Sequence, residues 1–385
     1  MAVPKLRFTG FDGDYLELSY DKFAPLQRGF DLPVSTIVEG DYPVVFSNGI
    51  LKKHNEFKAQ APGVVTGRSG TIGNITWVEK DYWPHNTSLW VTNFFDNEPK
   101  YVFYFLQKFD VSRFASGSGV PTLNRNDVHA QLITISPERR EQTKIASFLS
   151  AVDEKISQLT QKHELLSQYK QGMMQKLFSQ QIRFKADDGR EFGEWEEKLL
   201  SEIGSFKNGL NKDKESFGFG SPFINLMDVF GKKVVQIDNL GLVEANQKDL
   251  ENYDLKKGDV LFIRSSVKAE GVGQTALVID DLPNTVYSGF LIRFRDNYGL
   301  DLGFKKYCFM NNDFRLRLLA KSTTSANTNI NQESLSALTL NIPCLEEQSK
   351  IANFLSAIDQ KIEVVAQQIE QAKQWKKGLL QQMFV

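Results

Sequence analysis

The chain has 385 residues, of which 41% are apolar, and its 46 Lys and Arg nearly balance its 47 Asp and Glu. This length exceeds one ordinary hydrophobic core, so two domains, or two with a connecting element, are expected of a globular protein. A formal net charge of −1 does not indicate nucleic-acid binding. Positive charge for such a role would have to be local or supplied by partners.

The two cysteines, Cys308 and Cys344, are too few for a disulfide framework or a cysteine-based zinc site. The sequence contains no apolar run of about 18 residues and no charged-then-apolar leader, so it predicts neither a membrane span nor a signal peptide. These features predict a cytoplasmic protein.

The first globular segment comprises residues 1–136. Its run Tyr42–Phe46 is apolar and bounded by turn residues, which predicts a strand. The run Tyr101–Leu106 fits either a strand or a helix, because a short apolar run has no decisive period.

A long helix is predicted next, over residues 137–179. Its apolar residues are spaced by four and three in turn, and this seam begins with Ile145, Leu149, Val152 and Ile156. That 3.5-residue period is typical of a coiled coil. About 40 helical residues would span roughly 60 Å, so the helix is predicted to be a spacer as well as a packing element.

Residues 180–193 are polar and contain glycine, and they are predicted to be the linker and the start of a second repeat. A second globular segment follows over residues 194–342. Its runs Asp259–Ile263 and Leu338–Ile342 predict strands in the same way as Tyr42–Phe46 does.

Residues 343–385 predict a second long helix, and residues 343–384 repeat residues 137–178. Twenty of these 42 aligned positions are identical, whereas random pairing would give roughly two or three. The repeat therefore indicates a duplication. The second seam contains Ile351, Leu355, Ile358 and Ile362.

Three polar residues, His163, Lys170 and Lys376, occupy seam positions. They would fix the register or orientation of the helices, since a buried polar group is costly without its partner. Alternatively, the seam is frayed or tilted there and the lysines extend to solvent.

The duplication continues into the globular segments. Residues 263–273 match residues 67–73, which aligns Arg264 with Arg68 and Gly273 with Gly73. The chain is therefore organised as a globular segment, a long helix, a second globular segment and a second long helix.

The sequence contains no nucleotide-binding Gly-x-x-x-x-Gly-Lys-Ser/Thr loop, and its four histidines show no metal-ligand spacing. Asp187 with Glu196 and Lys198 can be forced into a nuclease pattern, but a solvated linker explains these charges better. No catalytic and no metal-ligating residue is predicted.

The two long helices open with the same motif, Glu141-Gln142 and Glu347-Gln348, each followed by Phe-Leu-Ser-Ala and Asp-x-Lys-Ile. They end alike, in Tyr169-Lys170-Gln-Gly and Trp375-Lys376-Lys-Gly. Over its full length the chain resembles the specificity subunits of type I restriction-modification systems.

That resemblance implies an α+β fold with two similar α/β target-recognition domains, residues 1–136 and 194–342. The domains would be separated by the two long helices, which would form an antiparallel coiled coil within an internal pseudo-twofold repeat. Each domain would read one half of a split, asymmetric target on double-stranded DNA, and the helices would set the gap and dock the methylation subunits.

The partners implied by the resemblance are two modification subunits, which would carry S-adenosylmethionine, and two restriction subunits, which would carry ATP and Mg. This chain would bind no cofactor and would be a non-catalytic subunit of a multisubunit methyltransferase and endonuclease.

Candidate DNA-binding residues are those whose side chains suit base edges or phosphates and whose positions are loop-like and glycine-rich. They are Arg68, Ser69, Asn86 and Ser116 in the first domain, and Lys212, Lys214, Arg264 and Lys268 in the second. Each is alternatively an ordinary surface residue, and the aligned Arg68 and Arg264 are alternatively residues that maintain a turn.

Three other functions remain open at this point. A standalone duplicated DNA-binding regulator would bind DNA without partners. A structural coiled-coil adaptor would ignore DNA. An enzyme such as a fused nuclease would need a catalytic segment that the sequence does not reveal.

Overall fold

The computed structural model describes residues 3–117, 119, 121–324 and 327–385. Their contacts divide the chain into two compact units: unit 1 comprises Met1–Lys162 and Val365–Val385, and unit 2 comprises His163–Val364. Each unit therefore contains one globular segment with parts of both long helices. Within the described residues, no helix is both long and apolar enough to cross a membrane.

Unit 1 contains eleven strands within its described residues, three short helices and the start of a long one. The strands are β1 Leu16–Ser19, β2 Leu26–Arg28, β3 Tyr42–Phe46, β4 Gly49–His54, β5 Gly63–Gly67, β6 Ile75–Val78, β7 Trp83–Pro84, β8 Ser88–Val91, β9 Ala115–Ser116, β10 Thr122–Leu123 and β11 Leu132–Ile135. The helices are α1 Tyr20–Phe23, α2 Pro99–Phe109, α3 Arg125–His129 and α4 Arg139–Phe178.

Unit 2 continues the chain with twelve strands in the part that the structure describes. They are β12 Glu196–Leu199, β13 Gly204–Asn208, β14 Phe217–Ile224, β15 Gly241–Val243, β16 Val260–Ile263, β17 Ser265–Ser266, β18 Thr275–Leu277, β19 Val286–Tyr287, β20 Leu291–Asp296, β21 Thr323–Thr324, β22 Thr328–Asn329 and β23 Thr339–Ile342. The helices are α5 Leu200–Ile203, α6 Gln247–Asn252, α7 Leu302–Cys308, α8 Asn312–Ala320, α9 Gln332–Ser336 and α10 Leu345–Met383.

The two units share one sheet plan. Each has a four-stranded antiparallel sheet, in the order β2-β8-β5-β6 in unit 1 and β13-β20-β16-β18 in unit 2. Each also has a three-stranded sheet that combines an antiparallel and a parallel pair, β4-β3-β7 and β15-β14-β19. The duplication read from the sequence therefore includes the sheets, and the three predicted strands are confirmed as β3, β16 and β23.

The ambiguous run Tyr101–Leu106 lies in helix α2, which spans eleven residues and begins with Pro99 at its first turn. All six residues of this run are buried. The run contains no charged residue, so by itself it shows no period, whereas the whole helix has a less buried polar face formed by Lys100, Gln107 and Lys108. Proline at the first turn and the length of the element favour the helix.

The two long helices are confirmed, with α4 over Arg139–Phe178 and α10 over Leu345–Met383. In unit 1, Phe148 of α4 meets Trp375 of α10 edge to face, with ring centroids 5.9 Å apart. In unit 2, Leu177 near the end of α4 shares a core with Ile351 and Leu355 near the start of α10. The start of α4 thus contacts the end of α10, and the end of α4 contacts the start of α10, which is the order of an antiparallel pair.

The eight seam residues named from the sequence lie on the inner side of these helices. Ile156 and Ile362 are half-buried. The other six are buried, namely Ile145, Leu149, Val152, Ile351, Leu355 and Ile358.

The two seam lysines are held by carboxylates. Lys170 Nζ lies 2.7 Å from Asp359 Oδ1 in unit 2, and Lys376 Nζ lies 2.7 Å from Asp153 Oδ1 in unit 1. Burial lowers the pKa of Lys170 to about 8, although Asp359 acts to raise it. Paired lysines, rather than lysines extended to solvent, occupy these seam positions.

The glutamate of the motif that opens each long helix is buried. It pairs with an arginine from the segment that begins the same repeat. Arg7 Nε donates to Glu141 Oε1 over 2.7 Å, and Arg183 Nη2 donates to Glu347 Oε2 over 2.7 Å. The hydrogen bond to its glutamate raises the pKa of each arginine. The glutamates are nearly inaccessible, so this part of the motif has a structural role.

The glutamine of each motif caps another element. Gln142 Oε1 accepts from the backbone N–H of Glu98, just before α2, and Gln348 Oε1 accepts from that of Asp301, just before α7, both over 2.8 Å. The helix opening therefore also positions the neighbouring helix in each unit.

The last turns of each long helix bind a segment that begins a repeat. In unit 2 the N–H of Ile182 donates to the carbonyl of Lys176 over 3.3 Å, and in unit 1 the N–H of Leu6 donates to the carbonyl of Gln382 over 2.9 Å. Leu6 and Ile182 precede Arg7 and Arg183 by one residue. The same joint is thus made twice.

Candidate nucleic-acid interface

A polar cleft of about 650 Å³ opens on the globular part of unit 1. Four chain segments line it: the end of β2 with the residues after it, the residue that follows β5, one residue of β8, and the β9–β10 pair with the start of α3. The lining residues are Gln27, Arg28, Gly29, Phe30, Asp31, Arg68, Leu89, Ser116, Thr122, Leu123, Asn124 and Arg125.

Arg68 is fixed at the centre of these segments by its backbone. Its N–H donates to the carbonyl of Thr87 over 2.8 Å, and its own carbonyl accepts from the N–H of Leu123 over 2.8 Å. The side chain is half-buried and forms no ion pair with any described residue. A guanidinium placed in this way presents its donors to whatever enters the cleft.

Arg28 and Asp31 form a second feature of the cleft. Arg28 Nη2 lies 2.8 Å from Asp31 Oδ1, and the Asn86 amide donates to the same carboxylate oxygen. Asp31 therefore orients both an arginine and an asparagine. Asn86, which was named from the sequence, reaches the cleft through Asp31, since it does not itself line it.

The two serines named in this domain lie on the β9–β10 side. Ser116 pairs with Thr122 across β9 and β10 and lines the cleft. Ser69 follows Arg68 and bridges to Thr122. The structure thus brings Arg68, Ser69 and Ser116 together through Thr122.

Sequence reasoning missed Arg28, Asp31 and Arg125 as residues of this cleft. Residues 26–31 match residues 206–211 of the second repeat, which marks them as part of the duplication and not as a binding site. The sequence signal for this site is the pair of polar side chains, Gln27 and Arg28, at the end of a strand and directly before Gly29.

Arg264 has the same backbone environment in unit 2 as Arg68 has in unit 1. Its N–H donates to the carbonyl of Phe290 over 2.8 Å, and its carbonyl accepts from the N–H of Ile330 over 2.9 Å. Its Nη1 also donates weakly to the carbonyl of Gly289, over 3.4 Å. The sequence alignment of the two arginines thus corresponds to equivalent positions in the two sheets.

The three lysines named in unit 2 differ in their surroundings. Lys212 Nζ lies 2.9 Å from Asp249 Oδ2, and this hydrogen bond raises the pKa of the lysine and lowers that of the aspartate. Lys214 and Lys268 are exposed in short turns. Lys212 is therefore engaged, whereas Lys214 and Lys268 extend into solvent.

The charged residues that can be arranged into a nuclease pattern are paired in the structure. Glu196 Oε2 lies 3.0 Å from Lys198 Nζ, and Asp187 pairs with Lys350. Among the described residues, no group of three or more His, Cys, Asp or Glu is arranged to hold a metal ion. Cys308 is buried, which raises the pKa of its thiol, and Cys344 is exposed.

Comparison with known families gives one match that covers most of the chain. The family model of the type I restriction modification DNA specificity domain matches residues 34–168 and 193–374. The two matched ranges fall on the two repeats.

Two proteins of Methanocaldococcus jannaschii are similar in sequence. The putative type I restriction enzyme MjaX specificity subunit is 30% identical over 217 residues, which are 54% of this chain and 49% of the relative. The type I restriction enzyme MjaVIII specificity subunit is 26% identical over 299 residues, 73% of this chain and 68% of the relative. The match to the MjaX subunit thus spans about half of that protein.

Two solved structures have a similar fold. The S subunit of a type I restriction-modification system from M. genitalium aligns with a TM-score of 0.62 at 17% identity, over 100% of this chain and 99% of its own. A second chain, solved to explain complex assembly and conformational transition of the type I R-M system, aligns with a TM-score of 0.63 at 16% identity. That alignment covers 97% of this chain and 98% of the other.

Proposed function

Because this chain belongs to the type I restriction-modification DNA specificity family, we propose that it reads the DNA sequence for a type I restriction-modification complex. In this proposal each globular domain reads one half of a split, asymmetric target on double-stranded DNA. The chain itself carries no catalytic group and binds no cofactor.

The cleft around Arg68 is the observation that carries the proposal. Three arginines, Arg28, Arg68 and Arg125, line it against one carboxylate, Asp31, which is already held by Arg28. Guanidinium groups match guanine edges and phosphates in a two-pronged geometry. A local excess of positive charge reconciles DNA binding with a net charge of −1.

The second domain supports the split target. Arg264 has the backbone environment of Arg68, but its neighbours differ, since Gly289 accepts from its guanidinium. Two readers with one scaffold and different contacts would read two different half-sequences. An asymmetric target is the consequence.

The long helices would act as the spacer and as the docking surface for partners. A rigid element of about 40 residues converts its length, roughly 60 Å, into a fixed separation of half-sites. We expect two modification subunits, with S-adenosylmethionine, and two restriction subunits, with ATP and Mg, to complete the complex. The partners would supply further phosphate contacts in addition to those of this chain.

The proposal is tested by sequencing methylated adenines in cells that express this chain together with the modification subunit of its own system. Cells with the modification subunit alone are the control. We expect one split motif to become methylated only when both chains are present. An unchanged methylation pattern with a competent modification subunit would refute the proposal.

DNA binding by the purified chain, measured beside methylation in these cells, distinguishes the other candidate functions. A standalone regulator would bind one DNA sequence tightly as the purified chain, without any modification subunit. A coiled-coil adaptor would leave methylation unchanged and would not bind DNA in either condition.

A further inference from the structure

Among the described arginines that are buried or half-buried, five face a carboxylate. These are Arg7, Arg183, Arg293, Arg295 and Arg317. Three do not: Arg68, Arg264 and Arg315. The first two belong to the proposed DNA-reading sites, so Arg315 is the one that the proposed function leaves unexplained.

Arg315 lies on α8 and is incompletely satisfied. Its Nη2 donates to the carbonyl of Glu270 over 3.1 Å. Its Nη1 is buried and has no hydrogen-bond partner among the described residues. Burial also lowers the pKa of this guanidinium, which is the expected result when a charge loses water without gaining a counter-charge.

Arg315 lines a cleft of about 460 Å³ within unit 2, between the last turns of α4 and the start of α8. Lys170 is a second cation of this lining, and Ser167, Gln171 and Asn312 contribute neutral polar groups. No acidic residue is among the residues that line it. The cleft is therefore positively charged and rich in donors.

The counter-charge nearest to Lys170 is already shared. Asp359 accepts from Lys170 over 2.7 Å, from Lys233, and from the Tyr307 hydroxyl over 2.8 Å. One carboxylate thus serves two lysines, and an uncompensated positive charge remains beside the cleft. The first turn of α8, which begins at Asn312 on the cleft wall, adds the positive end of a helix dipole.

We propose that this cleft is a binding site for a phosphate-type anion, with Arg315 as its main ligand and Lys170 as a second positive charge. Arg315 and Lys170 both line the cleft, Arg315 faces no carboxylate among the described residues, and the cleft supplies the space. The phosphate would come from a nucleic-acid backbone or from a free phosphate or nucleotide. Its lining residues are distinct from those of the cleft around Arg68 in unit 1.

The first test measures thermal unfolding of the full chain during titration with inorganic phosphate, at constant ionic strength in a phosphate-free buffer. We expect phosphate, and not chloride, to raise the melting temperature of the wild type. Arg315→Gln should require at least tenfold more phosphate for the same rise. Without phosphate, Arg315→Gln should be as stable as the wild type or more stable, because it removes an uncompensated charge.

Arg317→Gln is the matched control, because Arg317 lies on the same helix but is paired with Asp313. It should respond to phosphate as the wild type does, whatever its own stability. If Arg315→Gln also responds like the wild type, the site does not exist. If glutamate ions stabilise the wild type through Arg315 and phosphate does not, the ligand is a carboxylate and the proposal is wrong.

The second test distinguishes the source of the phosphate. Binding of the full chain to a short duplex of unrelated sequence is measured at several salt concentrations. Loss of one phosphate contact should reduce the slope of log affinity against log salt by about one in Arg315→Gln. An unchanged slope, together with the phosphate response above, assigns the site to a free phosphate or nucleotide.

Neither test depends on sequence reading or on a modification subunit. A negative result here would therefore leave the methylation experiment informative. Conversely, a chain that directs no methylation to a split motif would still show the phosphate response at Arg315.

Discussion

Asp359 holds Lys170 at 2.7 Å in unit 2, and the repeat-equivalent pair in unit 1, Asp153 and Lys376, has the same separation. In both units a tyrosine hydroxyl also donates a hydrogen bond to the carboxylate. Tyr307 donates to Asp359 and Tyr104 donates to Asp153, each over 2.8 Å. A charged contact that survives duplication on both helices is a determinant of how the helices pack. It explains why lysine occupies an apolar seam position.

The first prediction concerns the two partners of this contact. Asp359→Asn leaves Lys170 and Lys233 facing each other without a counter-charge, and we expect it to cost about 2 kcal/mol of unfolding free energy. This is below the ~3–5 kcal/mol of a fully buried pair, because both side chains retain some solvent contact. Lys170→Met should cost less, since Lys233 and Tyr307 still serve Asp359.

Urea unfolding of the full chain measures both values. Asp313→Asn, in the exposed pair with Arg317, is the control and should change stability by less than about 1 kcal/mol. Equal losses of unfolding free energy in Asp359→Asn and Lys170→Met would contradict the prediction that Asp359 serves both lysines.

The second prediction concerns acid stability. Burial acts to raise the pKa of Asp359, but hydrogen bonds from Lys170, Lys233 and Tyr307 outweigh it and place the pKa below its ordinary value of 3.8. A carboxylate with a depressed folded-state pKa stabilises the protein above the unfolded-state value, and this contribution is lost as the pH falls through the folded-state pKa. The stability of the wild type should therefore fall more steeply below about pH 4 than that of Asp359→Asn.

The measurement is the unfolding free energy between pH 6 and pH 3 for both proteins. If the unfolding free energies of the two proteins fall by the same amount between pH 6 and pH 3, the prediction is wrong.

The third prediction concerns the motif that opens each long helix. Glu141→Gln removes the charge that holds Arg7 at a site where the glutamate is fully inaccessible. We expect a cost of about 3 kcal/mol, the range for removal of one partner of a buried ion pair. Glu347→Gln should cost a similar amount in unit 2 through Arg183.

Calorimetric unfolding checks these values. Arg139→Ala is a suitable control, since its contact with Glu98 is long, at 3.7 Å, and the arginine is exposed. It should change stability by less than about 0.5 kcal/mol. A comparable loss in all three variants would point to a general sensitivity of the helix start.

The fourth prediction rests on the proposed function and concerns Arg68 and Arg264. Each is held by its backbone, so alanine should leave the fold intact. Arg68→Ala should reduce the discrimination between bases in one half of the methylated motif by about 1–3 kcal/mol. Arg264→Ala should have the same effect on the other half.

Methylated-adenine sequencing with each variant reads the two halves separately. A change in both halves with one variant, or in neither with both, would contradict the assignment of one reader to each domain.

Much of the fold was predictable, because it depends on long periodic segments. The seam around Ile145 and its repeat around Ile351 required only spacing, and the strand Tyr42–Phe46 required only composition. The run Tyr101–Leu106 could not be assigned by itself, since all six residues are buried and the polar residues of the same helix, Lys100, Gln107 and Lys108, lie outside the run.

The candidate site was predictable only in part. Arg68 was identified through its alignment with Arg264, a relation carried by the sequence. Its association with Arg28 and Arg125 is tertiary, and no local pattern encodes it. The capture of Asn86 by Asp31 and of Lys212 by Asp249 likewise depends on ion pairs and hydrogen bonds between distant segments.

The repeated joint, Leu6 on the end of α10 and Ile182 on the end of α4, has a consequence for chain connectivity. In unit 1 the two residues of this joint, Leu6 and Gln382, are far apart in the sequence, and the contacts between their segments hold the joint together. Contacts that suffice there should suffice after α4. A circular permutant opened in the exposed turn at residues 186–189, with its original ends joined, should fold to the same two units.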